Sequence, residues 1–112
     1  MIFGLAAHDL LAWALAIFFF VGAIGNWIAP ANVRAEYARW GYPDWFHYVT
    51  AVLELVVAVL LIFASTRVWG VGLGIAVMLA AIATLLIHKE YRHALLPTSA
   101  LLFLALQGYL SF

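Results

Sequence analysis

Long runs of apolar residues, separated by short polar segments, dominate the chain. The runs cover about residues 10–28, 46–64, 69–87 and 95–109. Most are close to the roughly 20 helical residues needed to cross about 30 Å of hydrocarbon. Apolar and polar positions do not alternate as in a membrane β-strand, and no run has the polar face of a water-soluble helix. The pattern predicts an all-α polytopic membrane protein: an antiparallel four-transmembrane-helix bundle forming a single domain over residues 1–112.

The polar segments predict the connections and the orientation. Residues 65–67 form a tight turn, whereas residues 29–45 form a longer interfacial loop in which "VRAEYARW" predicts a short helix and "GYPD" a turn. Trp40 and Tyr42 are rings of the kind that settle at the headgroup level. The 29–45 and 88–93 loops carry four of the five basic residues. By the positive-inside rule these loops are cytoplasmic, and both termini lie outside a cytoplasmic (inner) membrane.

Composition supports this interpretation and excludes several classes of function. Hydrophobic residues make up 69% of the chain and charged residues 9%, against about 25% charged residues in soluble domains. The formal net charge is zero without a basic stripe, which argues against nucleic-acid binding. There is no cysteine, so disulfides, iron–sulfur clusters and covalently attached haem are excluded. Because "MIFGLAAHDL" lacks a basic n-region, the first run is expected to be a permanent span.

Small residues mark positions where membrane helices can approach closely. Gly70 and Gly74 form a GxxxG pair in the third run, and Gly22 and Gly25 lie near the end of the first. Such residues gain van der Waals energy by letting helix backbones meet. The pair predicts packing within the bundle or, alternatively, a surface for a homo-oligomer or another membrane protein.

Polar residues inside the runs converge on the cytoplasmic half of the membrane. Glu54 lies about eight residues into the second run, roughly 12 Å deep at 1.5 Å per residue. His47 and Thr50 precede it at spacings that place all three side chains on one helix face. The other polar positions lie at the cytoplasmic ends of the first and third runs. The candidate ligand-binding residues are therefore Glu54, Asn26, His88, Thr50, His47 and Thr84.

An acid inside a span indicates a functional site, because leaving it unpaired in lipid costs several kcal/mol. The alternative is a structural role, in which Glu54 keeps a proton and bonds to Asn26 or His88 between helices. Haem b needs two imidazoles at matching depth, and His47 and His88 lie at the membrane margin, so haem b is not expected. A metal site is not expected either, because Glu54 and His88 have no third ligand. No catalytic motif is present, so the catalytic residues, and whether the protein is an enzyme, stay open.

Three stretches follow one another in an order typical of a known family. They are "VGAIGNWIAP" at 21–30, "RWGYPDWFHYVTAVLELVVAVLLI" at 39–62 and "MLAAIATLLIH" at 78–88. Together they resemble the DoxX-like family of small four-helix integral membrane proteins over nearly the whole chain. The matching positions are Asn26, Gly41, Pro43, Glu54 and His88. Members often carry lysine near the end of the first helix, where this chain has Asn26, so an ion pair from that position to Glu54 is not available.

The resemblance implies two kinds of function. The family takes its name from a small subunit of a thiosulfate:quinone oxidoreductase, and relatives are linked to membrane redox complexes, to oxidative stress and to chaperoning of membrane proteins. One hypothesis is a small subunit of a membrane redox system that binds a quinone or similar lipid-soluble ligand in a cytoplasmic-side pocket around Glu54. The other is a non-catalytic scaffold, assembly factor or accessory subunit that docks another membrane protein through its small-residue face.

Overall fold

A computed structural model describes the backbone of residues 2–111 and the side chains of residues 7–110. Within these residues the prediction of an all-α fold is confirmed. The helices are α1 (Ile2–Ile28), α2 (Ala31–Arg39), α3 (Phe46–Ile62), α4 (Arg67–Ile87) and α5 (Leu95–Ser111). A single 3₁₀ turn, Ala64–Thr66, connects α3 to α4.

Two stretches in the described chain are long and apolar enough to cross a membrane. They are residues 7–28, which belong to α1, and residues 64–87, which comprise the 3₁₀ turn and α4. Helix α3 and residues 95–110 of α5 are apolar but shorter. The 17 residues of α3 extend about 25 Å at 1.5 Å per residue, close to the lower limit for a span.

The connections place α2 against the bundle. Helix α1 ends at Ile28, and the next residue, Ala29, adopts a left-handed φ of 47° and lets the chain turn into α2. Gly41, at a φ of 84°, turns the chain again before α3, and glycine takes this conformation without steric cost. The short helix predicted from "VRAEYARW" is therefore present and is folded back toward α1 and α3.

The four apolar helices pack in the cyclic order α1, α3, α4, α5, and the α1–α5 seam has the sparsest contact. Phe19, Val57, Leu61 and Leu104 are fully buried at the centre. Gly74 lies against Leu104 and Val57, so α4 approaches both of its neighbours closely at this level.

The outer surface of the bundle is apolar, unlike the surface of a water-soluble protein. Large apolar side chains face outward, with Ile17 and Leu102 each 65% exposed and Trp69 71% exposed. Polar side chains lie inside, among them Glu54 at 6% and Arg67 at 3% exposure. Such an outer surface suits hydrocarbon, because lipid tails do not penalise exposed leucine or isoleucine.

A buried ion pair fastens the end of the bundle at the α3–α4 turn. Arg67 donates to the carboxylate of Asp9 at 2.6 Å and to the carbonyl of Leu61, in the last turn of α3, at 2.9 Å. The indole N–H of Trp13 donates to the Ile62 carbonyl at 3.2 Å. These contacts join α1 to the α3–α4 hairpin and satisfy carbonyls that a helix end leaves unpaired.

Candidate functional site

A chain of hydrogen bonds leads from α2 through α1 to the buried acid of α3. The hydroxyl of Tyr37 donates to Oδ1 of Asn26 at 2.7 Å. The amide nitrogen of Asn26 in turn donates to Oε1 of Glu54 at 2.5 Å and to the carbonyl of Gly22 at 3.0 Å. Because both amide hydrogens and the amide oxygen have partners, Asn26 is held in one orientation. It therefore acts to position the carboxyl of Glu54.

Gly22 makes room for this acid. A Cβ atom built at Gly22 would overlap the carboxyl group of Glu54, chiefly at Oε2. Gly22 and Asn26 lie four residues apart, so their carbonyl and amide meet on the same face of α1. The sequence G-x-x-x-N on α1 thus forms a niche for one carboxyl group from α3.

A second tyrosine fixes the opposite wall of the site. The hydroxyls of Tyr42 and Thr84 are 2.6 Å apart, and Thr84 donates its own proton to the carbonyl of Ala80 at 3.0 Å. Since a threonine has one hydroxyl hydrogen, Tyr42 is the donor to Thr84. The ring of Tyr42 also stacks on Phe46 at a centroid distance of 4.4 Å. The loop before α3 is thereby joined to α4.

Between these walls lies a partly open cavity of about 470 Å³. Its surface is mostly apolar, and the polar groups of Glu54, Asn26, Tyr37 and Thr84 meet within it. Helices α1 to α5 all contribute to the lining. The other lining residues are Phe18, Gly22, Gly25, Val33, Glu36, Trp40, Tyr42, Phe46, Thr50, Leu53, Val77, Met78, Ala80, Ala81, Leu85, Leu96 and Pro97.

The six candidate residues predicted from the sequence lie in two groups. Four of them line the cavity: Glu54, Asn26, Thr50 and Thr84. The other two make backbone contacts elsewhere. The buried ring of His47 contacts the Asn26 carbonyl through Nδ1 at 2.8 Å, and the exposed His88 contacts the Thr84 carbonyl through Nδ1 at 2.8 Å. The ligand role of all six stays a prediction.

The two histidines considered for haem b thus each direct Nδ1 at a main-chain carbonyl. Among the residues whose side chains are described, no group of three or more histidine, aspartate or glutamate side chains is close enough to hold a metal ion.

Sequence reasoning missed the contribution of the 29–45 loop. Tyr37, Trp40 and Tyr42 line the cavity, although the aromatic pattern of the loop indicated headgroup contact. Burial raises the pKa of Tyr37 above its ordinary value of 10.0, so its hydroxyl stays protonated and remains a donor at neutral pH. Tyr37 and Trp40 are three residues apart at the end of the short helix. This spacing could have predicted that both rings share one face.

At the rim of the cavity a salt bridge ties this loop to the α4–α5 connection. Glu90 accepts from the indole N–H of Trp40 and from the guanidinium of Arg39, both at 2.5 Å. The Trp40 bond, followed by Arg39, holds the pKa of Glu90 below its ordinary value of 4.5. The rim is thus fastened at two places, by Trp40–Glu90 and by Tyr42–Thr84.

Comparison with known proteins identifies the family. A family model described as the DoxX-like family matches residues 10–107. No curated protein and no solved structure matches the chain.

Proposed function

Because this chain belongs to the DoxX-like family, and so is a membrane protein, we propose that it binds a quinone or a similar lipid-soluble molecule at Glu54. In this proposal it is a small subunit of a membrane redox system. The four apolar helices cross a cytoplasmic membrane, with the 29–45 and 88–93 loops on the cytoplasmic side and both termini outside. The four basic residues of these loops, against the single ion-paired Arg67 at the other end, support that orientation.

The observation that carries the proposal is the combination of a cavity with convergent polar groups. Small-molecule sites are concave, mostly apolar and roughly 300–1,000 Å³ in volume, with a few placed polar groups. The cavity of about 470 Å³ fits that description. It lies among helices whose outer surface suits lipid, so a ligand arriving from the bilayer would remain in an apolar environment along its path.

The chemistry available at the site is proton exchange and hydrogen bonding. Reduction of a quinone to a quinol consumes two electrons and two protons. In this proposal Glu54 supplies one proton to a quinone oxygen and is reprotonated from water on the cytoplasmic side, and the second proton comes from the same water. Asn26 acts through Glu54 as a positioning residue, since its amide is fully engaged. Electrons would come from a partner protein in the membrane.

Mass spectrometry of molecules that copurify in mild detergent tests the proposal. Ala80→Phe places a ring in the cavity, whereas Ala83→Phe alters an exposed alanine on the same helix that is absent from the cavity lining. We expect a quinone or similar lipid-soluble molecule with the wild type and with Ala83→Phe, and its loss with Ala80→Phe. Equal retention by all three proteins would place the binding outside the cavity.

The alternative, a scaffold that docks another membrane protein through its small-residue face, has less support. A Cβ at Gly70 would lie 3.1 Å from Leu60 and Leu61 of α3, so this glycine packs on the chain's own helix. Gly74 likewise packs on Val57 and Leu104. Both glycines of the GxxxG pair are therefore engaged within the bundle, and a docking surface would have to use other residues.

A further inference from the structure

A second cavity of about 270 Å³ lies at the seam between α1 and α5. It is almost wholly apolar, and the one hydroxyl in its lining, that of Ser99, donates to the Leu95 carbonyl of its own helix at 2.8 Å. Groups that shape it include Leu11, Ala14, Phe18, Leu96, Ala100 and Phe103. We call it the seam groove. It offers packing to an apolar chain, and its polar group is already hydrogen-bonded within α5.

The seam groove adjoins the polar cavity around Glu54. Phe18 and Leu96 line both. The α1–α5 seam is also where helix contact is sparsest. Phe18 and Leu96 are thus the side chains that a molecule occupying both cavities would have to pass.

The direction of the groove suits a tail that stays in hydrocarbon. From Phe18 to Leu11 it extends along α1 for about 10 Å at 1.5 Å per residue, away from the α1 end that carries Asn26. If the Asn26 end faces the cytoplasm, this path leads toward the bilayer centre. A polar head at Glu54 and an apolar tail along α1 would match the polarity of the two cavities.

From the adjacency of a polar cavity and an apolar groove we propose that the ligand is an amphiphile with a single apolar tail and that the tail lies in the seam groove. The inference rests on the proposed function, which supplies the site for the head. It adds a class of ligand: a headgroup the size of a ring joined to an extended chain, rather than a compact molecule enclosed in the polar cavity.

The experiment compares two probes on protein in lipid nanodiscs. The probes are decylubiquinone and dimethoxy-methyl-benzoquinone, which has the same ring without the tail. Binding is followed by quenching of tryptophan fluorescence, since Trp40 lines the polar cavity. Affinities are expressed per lipid, so that partitioning of the tail into the bilayer cancels. The measured quantity is the ratio of the two affinities.

Ala14→Phe fills the seam groove from an exposed position on α1, and Ala105→Phe adds the same ring at an exposed position on α5 outside the groove. We expect the wild type and Ala105→Phe to favour the tailed probe. Ala14→Phe should lower that preference roughly fivefold, the size expected for several lost van der Waals contacts. Its affinity for the tail-less probe should be unchanged.

One result would contradict the position of the tail, and another would contradict the quinone-like ligand itself. If both probes bind equally to the wild type, or if the preference survives in Ala14→Phe, the tail does not lie in the seam groove, although the site at Glu54 stands. If neither probe gives saturable binding, the proposal of a quinone-like ligand is itself wrong.

Discussion

The carboxyl group of Glu54 on α3 occupies the space in which a side chain at Gly22 on α1 would lie. The two residues are therefore interdependent: the acid can be buried at this depth because the facing helix has no Cβ there. The same turn of α1 supplies Asn26, which donates to Oε1 of the acid at 2.5 Å. A glycine and an amide four residues apart thus form a complete niche for a carboxyl group.

Gly22→Ala should destabilise the protein, because the added methyl overlaps the carboxyl of Glu54. Overpacking of this kind costs about 1–3 kcal/mol, measured as a lower free energy of unfolding in detergent. Gly25→Ala is the matched control, since a Cβ there meets nothing within 4 Å. In a Glu54→Ala background, adding Gly22→Ala should cost much less, because the carboxyl that the methyl overlaps is gone. Destabilisation that persists in the double variant would show that the niche is not the cause.

Asp9→Asn should destabilise the opposite end of the bundle. The guanidinium of Arg67 is 3% exposed and has Asp9 as its ion-pair partner at 2.6 Å. Removing the partner of a buried charge costs about 3–5 kcal/mol, and we expect about the lower value because Asp9 is 20% exposed. Arg92→Gln, a charge change in an exposed loop, is the control and should leave the melting temperature nearly unchanged. A small effect of Asp9→Asn would mean that the carbonyls of Leu61 and Ile62 suffice to hold Arg67 without the ion pair.

Acid should loosen the rim of the cavity through Glu90. Its folded-state pKa lies below the ordinary 4.5 because of Trp40 and Arg39, so its contribution to stability is present above 4.5 and is lost as pH falls through the lower folded value. Glu90→Gln should lower the melting temperature at neutral pH. It should also make the decrease in melting temperature below pH 4.5 smaller than in the wild type. Glu36→Gln removes a negative charge from α2 and should leave the acid-induced decrease in melting temperature unchanged. Identical pH profiles for the wild type and Glu90→Gln would contradict the account.

The glycines of α4 should differ in their tolerance of alanine. A Cβ at Gly70 would lie 3.1 Å from the backbone nitrogen of Leu61, whereas at Gly74 it would meet terminal methyl groups of Leu104 and Val57. Side-chain ends can shift more easily than a helix backbone, so Gly70→Ala should be the more destabilising of the two. Gly72→Ala meets nothing within 4 Å and should stabilise the helix by up to about 1 kcal/mol. Thermal unfolding of the three variants measures the order, and a reversal of Gly70 and Gly74 would be inconsistent with this packing.

Much of the fold follows from the one-dimensional pattern. Apolar runs predict helices because lipid leaves backbone groups no other partner, and the polar segments mark where the runs end. Asn26, Thr50, Glu54 and Thr84 were predicted to lie in one half of the bundle, and they do line one cavity there.

The contacts within the site were not predicted, because they depend on the rotation of each helix and on the path of the loop. The contact between Gly22 and Glu54 exists only at one rotation of α1 about α3, and side-chain spacing within one helix does not specify it. Tyr37 and Tyr42 enter the site because α2 folds back, and an aromatic ring suits protein and headgroup equally well. The ring of His88 contacts the Thr84 carbonyl of its own helix, which also accepts the backbone N–H of His88, and the sequence pattern does not specify this rotamer.

If Glu54 is kept in the bundle to bind a ligand, replacing it with an apolar residue of similar size should weaken binding. Leucine removes the acceptor of the Asn26 amide, and leaving a buried donor unsatisfied costs about 1–3 kcal/mol. The measurement is a titration of Glu54→Leu with decylubiquinone in nanodiscs, beside the wild type. We predict a folded protein, less stable than the wild type by about that amount, whose affinity is roughly tenfold weaker, as expected for a lost hydrogen bond to a buried group. Unchanged affinity in a folded Glu54→Leu protein would contradict the claim.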